Sequence, residues 1–251
     1  MRCSGPGLRK SLQLFTVFVV VWTPYRFLTG MLGWKVIPHQ PIPVIVESLA
    51  KILIIPGLVY LFLRRFGDSW SDVGVSGRGL RKSVFLALLG SLALISVYLA
   101  LGSPVRPDPL VVGYLFLAVG PTEELMNRGY YFSMIYRDCG SEFWTAAVLS
   151  SLIFSLAHLP IDLLVAGYGP AMTFLHLTFA FLAGILLSAY YRMGWNIAGP
   201  SLLHAAMDTC NTYFRFSSPQ LQFSSLVLGM IVMGLIPVLW SMRGPAHSSS
   251  R

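Results

Sequence analysis

Long apolar runs alternate with short charged or polar stretches along all 251 residues of the chain. A helix needs roughly 20 apolar residues to cross a hydrocarbon core of about 30 Å, and runs of about that length lie between the charge clusters. The pattern predicts eight transmembrane helices, at residues 11–32, 42–63, 83–101, 110–136, 143–159, 170–191, 195–214 and 221–242. The expected fold is therefore all-α, a polytopic transmembrane bundle of about eight helices.

The composition agrees with a membrane environment. Apolar residues make up 55% of the chain and charged residues 11%, whereas a soluble domain has about 25% charged residues. No internal repeat divides the sequence, and its one sizeable polar stretch, residues 64–82, is too short to fold alone. We expect a single domain spanning residues 1–251.

The basic residues, which give a net charge of +8, are divided unevenly between the two sides of the predicted bundle. With the amino terminus inside, the cytoplasmic side holds Arg2, Arg9, Lys10, Arg64, Arg65, Arg78, Arg81, Lys82, Arg137, Arg192, Arg243 and Arg251. The opposite side keeps only Lys35, Arg106 and Arg215. The positive-inside rule predicts such a bias, so we expect a multi-pass protein of the cell membrane with both termini in the cytoplasm. Because the cations lie between apolar runs and form no basic face with interleaved aromatic residues, we expect no nucleic-acid partner.

Ionisable residues inside the fourth segment are the first sign of chemistry. An ionisable side chain at the centre of a membrane helix costs about 2.5 to 3.5 kcal/mol on insertion scales, so each one needs a reason. Glu124 and Arg128 stand four residues apart on one helical face and can pair. Glu123, turned by about 100° from its neighbour, has no counter-ion in its own segment. Glu123 is therefore the candidate general base.

Two further segments carry polar side chains that can complete a site. The fifth contains Phe154 and His158, and the seventh contains His204 and Asp208, each pair at a spacing of four residues. If the three segments converge, Glu123 and His158 can hold and deprotonate a water, while His204 and Asp208 bind the oxyanion of a tetrahedral intermediate. Such a set hydrolyses a bond without a covalent nucleophile.

Structural explanations compete with functional ones for several of these residues. Glu124 and Arg128 fit a structural ion pair better than a catalytic one, since buried ions persist mainly when matched. Glu47 and Lys51, also four apart, are expected to pair with each other in the second segment. Three polar side chains on three separate helices are harder to explain by structure alone, which favours function for Glu123, His158 and His204 as a set.

Three short motifs resemble those of the CPBP or Abi family, which includes the type II CAAX prenyl endopeptidases. The chain has E-E-x-x-x-R at residues 123–128, F-x-x-x-H at 154–158 and H-x-x-x-N/D at 204–208, in the family's order and on separate apolar segments. The resemblance covers residues 110–211. It implies a glutamate-type intramembrane endopeptidase that needs no metal or other cofactor. It also implies that Glu123 and His158 activate the water, that His204 and Asp208 form the oxyanion site, and that the other motif residues support the site: Glu124, Arg128 and Phe154.

Asp208 departs from the prenyl-peptidase pattern, which usually ends in Asn. An Asn amide can donate a hydrogen bond to an oxyanion, whereas a charged carboxylate repels it. Asp208 is therefore expected either to be protonated or to orient His204 as a hydrogen-bond acceptor.

The substrate and two alternative functions stay open at the level of sequence. The resemblance implies a peptide or protein substrate at the membrane, lipidated or not, cut near the carboxyl terminus of a CAAX-like protein or of another membrane-associated protein. A zinc metalloprotease is one alternative, because two histidines and a carboxylate can make an open three-ligand site, although H-E-x-x-H is absent. A non-catalytic membrane scaffold, such as a bacteriocin-immunity-type protein, is the other. Nothing in the sequence predicts the oligomeric state.

Overall fold

A computed structural model describes residues 5–31 and 40–241 of the chain. Eight helices run through these residues: α1 (Pro6–Met31), α2 (Pro41–Phe66), α3 (Leu80–Leu101), α4 (residues 109–138), α5 (Phe143–Ala166), α6 (Pro170–Gly194), α7 (Ala198–Tyr213) and α8 (Pro219–Ser241). Five of them begin with proline, whose fixed φ suits the first helical turn and whose missing N–H is not needed there. The predicted all-α bundle of about eight helices is confirmed. The predicted ends at Leu32 and Met242 lie outside the described residues.

Helix α4 is a composite helix that holds the first motif. Its α-helical parts, Pro109–Tyr114, Gly120–Glu124 and Ser133–Asp138, alternate with π-helical turns at Leu115–Val119 and Leu125–Phe132. The residues at the junctions keep right-handed helical angles, so the chain runs on without a break. π-Helical turns are rare and often occur at functional sites, and here they lie on both sides of the short segment that carries Glu123 and Glu124.

Length and apolarity allow six of the eight described helices to cross a membrane. The other two are α4, which is interrupted and polar, and α7, which has only 16 residues. These are the helices that carry the first and third motifs. Their polar side chains are packed inside the bundle, where neighbouring helices shield them from lipid.

Glycines and other small residues let the central helices approach closely. A Cβ atom on Gly120 would lie 2.5 Å from the carbonyl oxygen of Ser201, so α4 and α7 touch through their backbones beside the motif residues. A Cβ atom on Gly184 would lie 2.7 Å from the Cβ of Ser151, where α6 packs on α5. Close approach of this kind is typical of small residues in membrane helices. It places polar groups from different helices within reach of one another.

A short connector, residues 67–79, lies against one end of the bundle between α2 and α3. The carboxylate of Asp68 pairs with Arg137 at 2.9 Å and with Lys10 at 3.2 Å, which joins the connector to α4 and α1. Asp72 lies 3.5 Å from Arg137. A hydrogen bond from the Ser69 hydroxyl lowers the pKa of Asp72, so that the side chain stays ionised opposite this arginine.

The opposite end of the bundle carries a two-residue antiparallel ladder. Strand β1 (Ser103–Pro104) follows α3 and pairs with β2 (Phe214–Arg215), which follows α7. The ladder therefore ties the ends of α3 and α7 together. It adds almost no sheet to the fold.

Candidate active site

Glu123 lies at the centre of the site, between side chains from α2 and α7. Its Oε1 atom is 2.6 Å from the Nζ atom of Lys51, and its Oε2 atom is 3.9 Å from Nε2 of His204. The amide of Asn127 donates a hydrogen bond of 2.6 Å to the backbone carbonyl of Glu123, inside the second π-helical turn. The predicted base thus has a cation on one side and an imidazole on the other.

Glu124 and Arg128 form the ion pair that their spacing predicts. Nη1 of Arg128 is 2.8 Å from Oε1 of Glu124, and both side chains are fully buried. The same Oε1 atom is 2.7 Å from Nδ1 of His204. Glu124 therefore joins the arginine to the histidine of the third motif, and this contact fixes the orientation of the imidazole.

His158 and Phe154 of the second motif face each other across one turn of α5. Nδ1 of His158 is 3.0 Å from the carbonyl oxygen of Phe154, and a hydrogen bond donated there leaves Nε2 as the acceptor. The Phe154 ring lies 4.9 Å from the His158 ring, 6.1 Å from the His204 ring and 4.8 Å from the guanidinium of Arg128. The phenylalanine thus packs against members of all three motifs.

Asp208 lies on the far side of His204, one helical turn along α7. Its Oδ2 atom is 3.6 Å from Nε2 of His204, too far for a hydrogen bond but close enough for charge to matter. Three carboxylates, those of Glu123, Glu124 and Asp208, therefore surround one imidazole.

A cavity of about 150 Å³ opens between α1, α2, α4 and α5. Its walls include Glu123, Phe154 and His158 together with Lys51. Since one water occupies about 30 Å³ in the liquid, this volume has room for several waters. Glu123 and His158, which the sequence predicts to activate the water, therefore line one cavity, whereas His204 and Asp208 do not line it.

Sequence reasoning missed the contact between Lys51 and Glu123. The predicted pairing of Lys51 with Glu47 is wrong, because Lys51 reaches Glu123, and Glu47 is instead 2.6 Å from Arg26 and accepts a hydrogen bond from Tyr25. The sequence showed only that Lys51 lies in an apolar segment, four residues after the carboxylate of Glu47. That spacing offers a local partner, but it says nothing of charged groups on other helices.

The described residues contain no group of three or more His, Cys, Asp or Glu side chains arranged to hold a metal ion. The cluster instead consists of carboxylates that are matched by Lys51, Arg128 and His204. Such a donor set suits charge-assisted hydrogen bonding.

Together, the helices and this cluster define a polytopic membrane protein with an acid–histidine centre inside its bundle. Residues 105–210 match the family model described as type II CAAX prenyl endopeptidase Rce1-like, which confirms the family that the three motifs predicted. This match supports an intramembrane protease, and hence a hydrolase that acts on peptides, at the level of the family. The match does not favour the scaffold or the zinc metalloprotease as alternatives. A comparison with curated proteins found no match.

Proposed function

We propose that this protein is a metal-independent, glutamate-type intramembrane endopeptidase in which Glu123 and His158 activate a water. The observation that carries the proposal is that both side chains line the same cavity. A carboxylate and a neutral imidazole nitrogen can each accept a hydrogen bond from one water. A water held between them is oriented for attack on a peptide carbonyl that enters the cavity.

The chemistry needs one proton acceptor and one donor. As the water oxygen bonds to the carbonyl carbon, its proton passes to Glu123 and the carbonyl becomes an oxyanion. The C–N bond then breaks as that proton is delivered to the leaving amine, which leaves a carboxyl group and a free amine. His204, as an imidazolium held by Glu124, does not line the cavity but supplies positive charge 3.9 Å from Glu123.

Asp208 acts on this step through His204. Its carboxylate is 3.6 Å from Nε2 of His204 and favours the charged ring without accepting a close hydrogen bond from it. A direct donor role for Asp208 requires a protonated carboxyl. We therefore assign Asp208 to the orientation and charge of His204.

The substrate we propose is a peptide bond near the carboxyl terminus of a CAAX-like or other membrane-associated protein, with or without a lipid. Apolar side chains cover the outer faces of the spanning helices, among them Val20, Leu53 and Leu92, each more than half exposed. A bilayer covers such faces. A lipid-anchored chain moves in the plane of that bilayer and reaches a site between the helices without leaving it.

The test compares the full-length protein with Glu123→Gln and His158→Ala in detergent or nanodiscs. The probes are a farnesylated fluorogenic peptide ending in C-a-a-X and the same peptide without the farnesyl group. We expect the unmodified protein to cleave at least one of them and both variants to lose at least about 100-fold in kcat, as removal of a general base predicts. Equal rates for all three proteins, or cleavage of neither peptide, would contradict the proposal.

Two further arms address the metal and the native substrate. A zinc chelator is expected to leave the rate unchanged, and loss of activity that added zinc restores would instead support a metalloprotease. Quantitative comparison of membranes containing the unmodified protein or Glu123→Gln identifies native substrates by carboxyl-terminal fragments that form only with the active protein.

A further inference from the structure

Lys51 is the cation nearest to the proposed base, and it lies outside the three motifs. Its Nζ atom is 2.6 Å from Oε1 of Glu123, and its side chain is only 9% exposed. Lys51 also lines the cavity that Glu123 and His158 share. An ammonium group in this position borders the space where a substrate carbonyl must lie.

The ammonium of Lys51 has more donors than its ion pair uses. A lysine ammonium has three N–H groups, and within the described part of the chain its one hydrogen bond goes to Glu123. The Trp22 ring lies 5.3 Å from Nζ and stabilises the charge without accepting a conventional hydrogen bond. Donor capacity therefore remains for a further acceptor in the cavity.

His204 and Asp208 of α7 do not provide enough hydrogen-bond donors for such an acceptor. Asp208 presents a carboxylate where an amide would donate, and neither Asp208 nor His204 lines the cavity wall. The carboxylate of Asp208, 3.6 Å from His204, also reduces the positive charge that the histidine can offer to an oxyanion. A second positive donor on the cavity side compensates for this reduction.

We propose that Lys51 is a catalytic residue that donates a hydrogen bond to the tetrahedral oxyanion, a role that rests on the proposed function of the site. When the water oxygen bonds to the carbonyl carbon, the π electrons of the C=O bond move to its oxygen and Glu123 takes the proton. One N–H of Lys51 keeps its contact with Glu123, and another binds the new oxyanion. When the C–N bond breaks, the electrons return to the carbonyl, the amine takes the proton from Glu123, and Lys51 is unchanged.

The test uses the full-length protein, a peptide that it cleaves, and a phosphinic analogue of that peptide, whose tetrahedral anion imitates the intermediate. For Lys51→Met we expect kcat to fall about 100-fold or more, as for the loss of one oxyanion donor, with little change in KM. The inhibition constant of the analogue should rise by a similar factor. Lys51→Arg, which keeps the charge, should retain most of the affinity for the analogue.

Glu123→Gln separates this role from mere orientation of the base. That variant should lose turnover but bind the analogue as tightly as the unmodified protein or more tightly, because a repelling carboxylate is gone. If Lys51 only orients Glu123, Lys51→Met will lose kcat while its affinity for the analogue stays unchanged, and the inference is then wrong. Should Lys51→Met fail to fold, Lys51→Gln, which also removes the charge, is measured in its place.

Lys10→Met is the matched control, because it removes the same charge from another lysine ion pair, that with Asp68 at 3.2 Å. It should leave kcat and the inhibition constant unchanged. Failure of the proposed function looks different from failure of this inference: in the first case the unmodified protein and Glu123→Gln cleave the peptide equally. In the second case only the Lys51 variants behave unexpectedly.

Discussion

At the scale of single residues, the site consists of buried charges that are matched rather than isolated. Arg128 is fully buried, and its guanidinium meets the carboxylate of Glu124 and the face of the Phe154 ring. The same carboxylate contacts His204. A buried ion pair is weak evidence for stability, but removing one partner leaves an uncompensated charge. Arg128 therefore matters both to the stability of the bundle and to the orientation of the imidazole.

We expect Arg128→Met to lower the free energy of unfolding by about 3 to 5 kcal/mol, the usual cost of leaving one buried ion without its partner. Denaturant-induced unfolding in detergent micelles measures this change. The double variant Glu124→Gln/Arg128→Met, in which no charge is left unmatched, should regain part of the stability while activity stays low, because His204 has lost its carboxylate. Unaltered stability of Arg128→Met would contradict this expectation.

The three motifs predicted much of this residue-level picture, because the spacing of four residues places side chains on one helical face. The pairing of Glu124 with Arg128 is confirmed. The same rule failed for Glu47 and Lys51, since Arg26 and Glu123 reach them from other helices. Spacing within a helix determines which partners are possible, and neighbouring helices decide which of them are used.

At the scale of helices, close packing through small residues holds the polar groups in position. The stripe formed by Ala180, Gly184 and Ser188 is visible in the sequence and lies buried on α6. At Gly184 the helix meets Ser151 of α5, which also carries His158. The distance between α5 and α6 thus depends on a residue without a side chain.

The variant Gly184→Ala tests whether the packing of α5 on α6 depends on this glycine, and Gly57→Ala is its control. The added methyl group at position 184 would meet the Ser151 side chain at 2.7 Å, whereas a Cβ atom at position 57 has no neighbour within 4 Å. Overpacking costs about 1 to 3 kcal/mol, so Gly184→Ala should be destabilised by that amount. Gly57→Ala should be neutral or more stable by about 0.5 to 1 kcal/mol, because alanine is the better helix former. Thermal unfolding of both variants gives the comparison, and equal transitions would contradict the role of Gly184.

The composite form of α4 was not predictable in this way. Hydropathy indicated one long segment at residues 110–136, and the helix does run from 109 to 138, but its two π-helical turns leave no signature in an apolar pattern. A π-helical turn depends on which side chains and backbones meet the helix from outside. Gly120, which lets Ser201 approach α4, is one such contact.

At the scale of the whole molecule, the two ends of the bundle are built differently. The connector at one end is tied to α1 and α4 through Asp68, and the ladder at the other end joins α3 to α7. Exposed arginines occur at both ends, Arg78 in the connector and Arg106 beside the ladder. The positive-inside rule predicts that the connector faces the cytoplasm.

Cysteine labelling in spheroplasts of a bacterial expression host tests this orientation. We expect Arg106→Cys to react with a membrane-impermeant maleimide in intact spheroplasts, and Arg78→Cys to react only after permeabilisation. The protein without an added cysteine gives the background at the native cysteines. The reverse pattern would place the connector and both termini outside.

The sequence by itself determined the helices, their number and the polar residues that lie in them. A bilayer requires helices of a certain apolar length, and that requirement can be read from the chain alone. Only the tertiary structure decided that Lys51 stands against Glu123, that Glu124 links Arg128 to His204, and that His158 shares a cavity with the proposed base while Asp208 does not. These contacts join residues far apart in the chain, and their energies depend on distances of a few ångströms that helix packing alone sets.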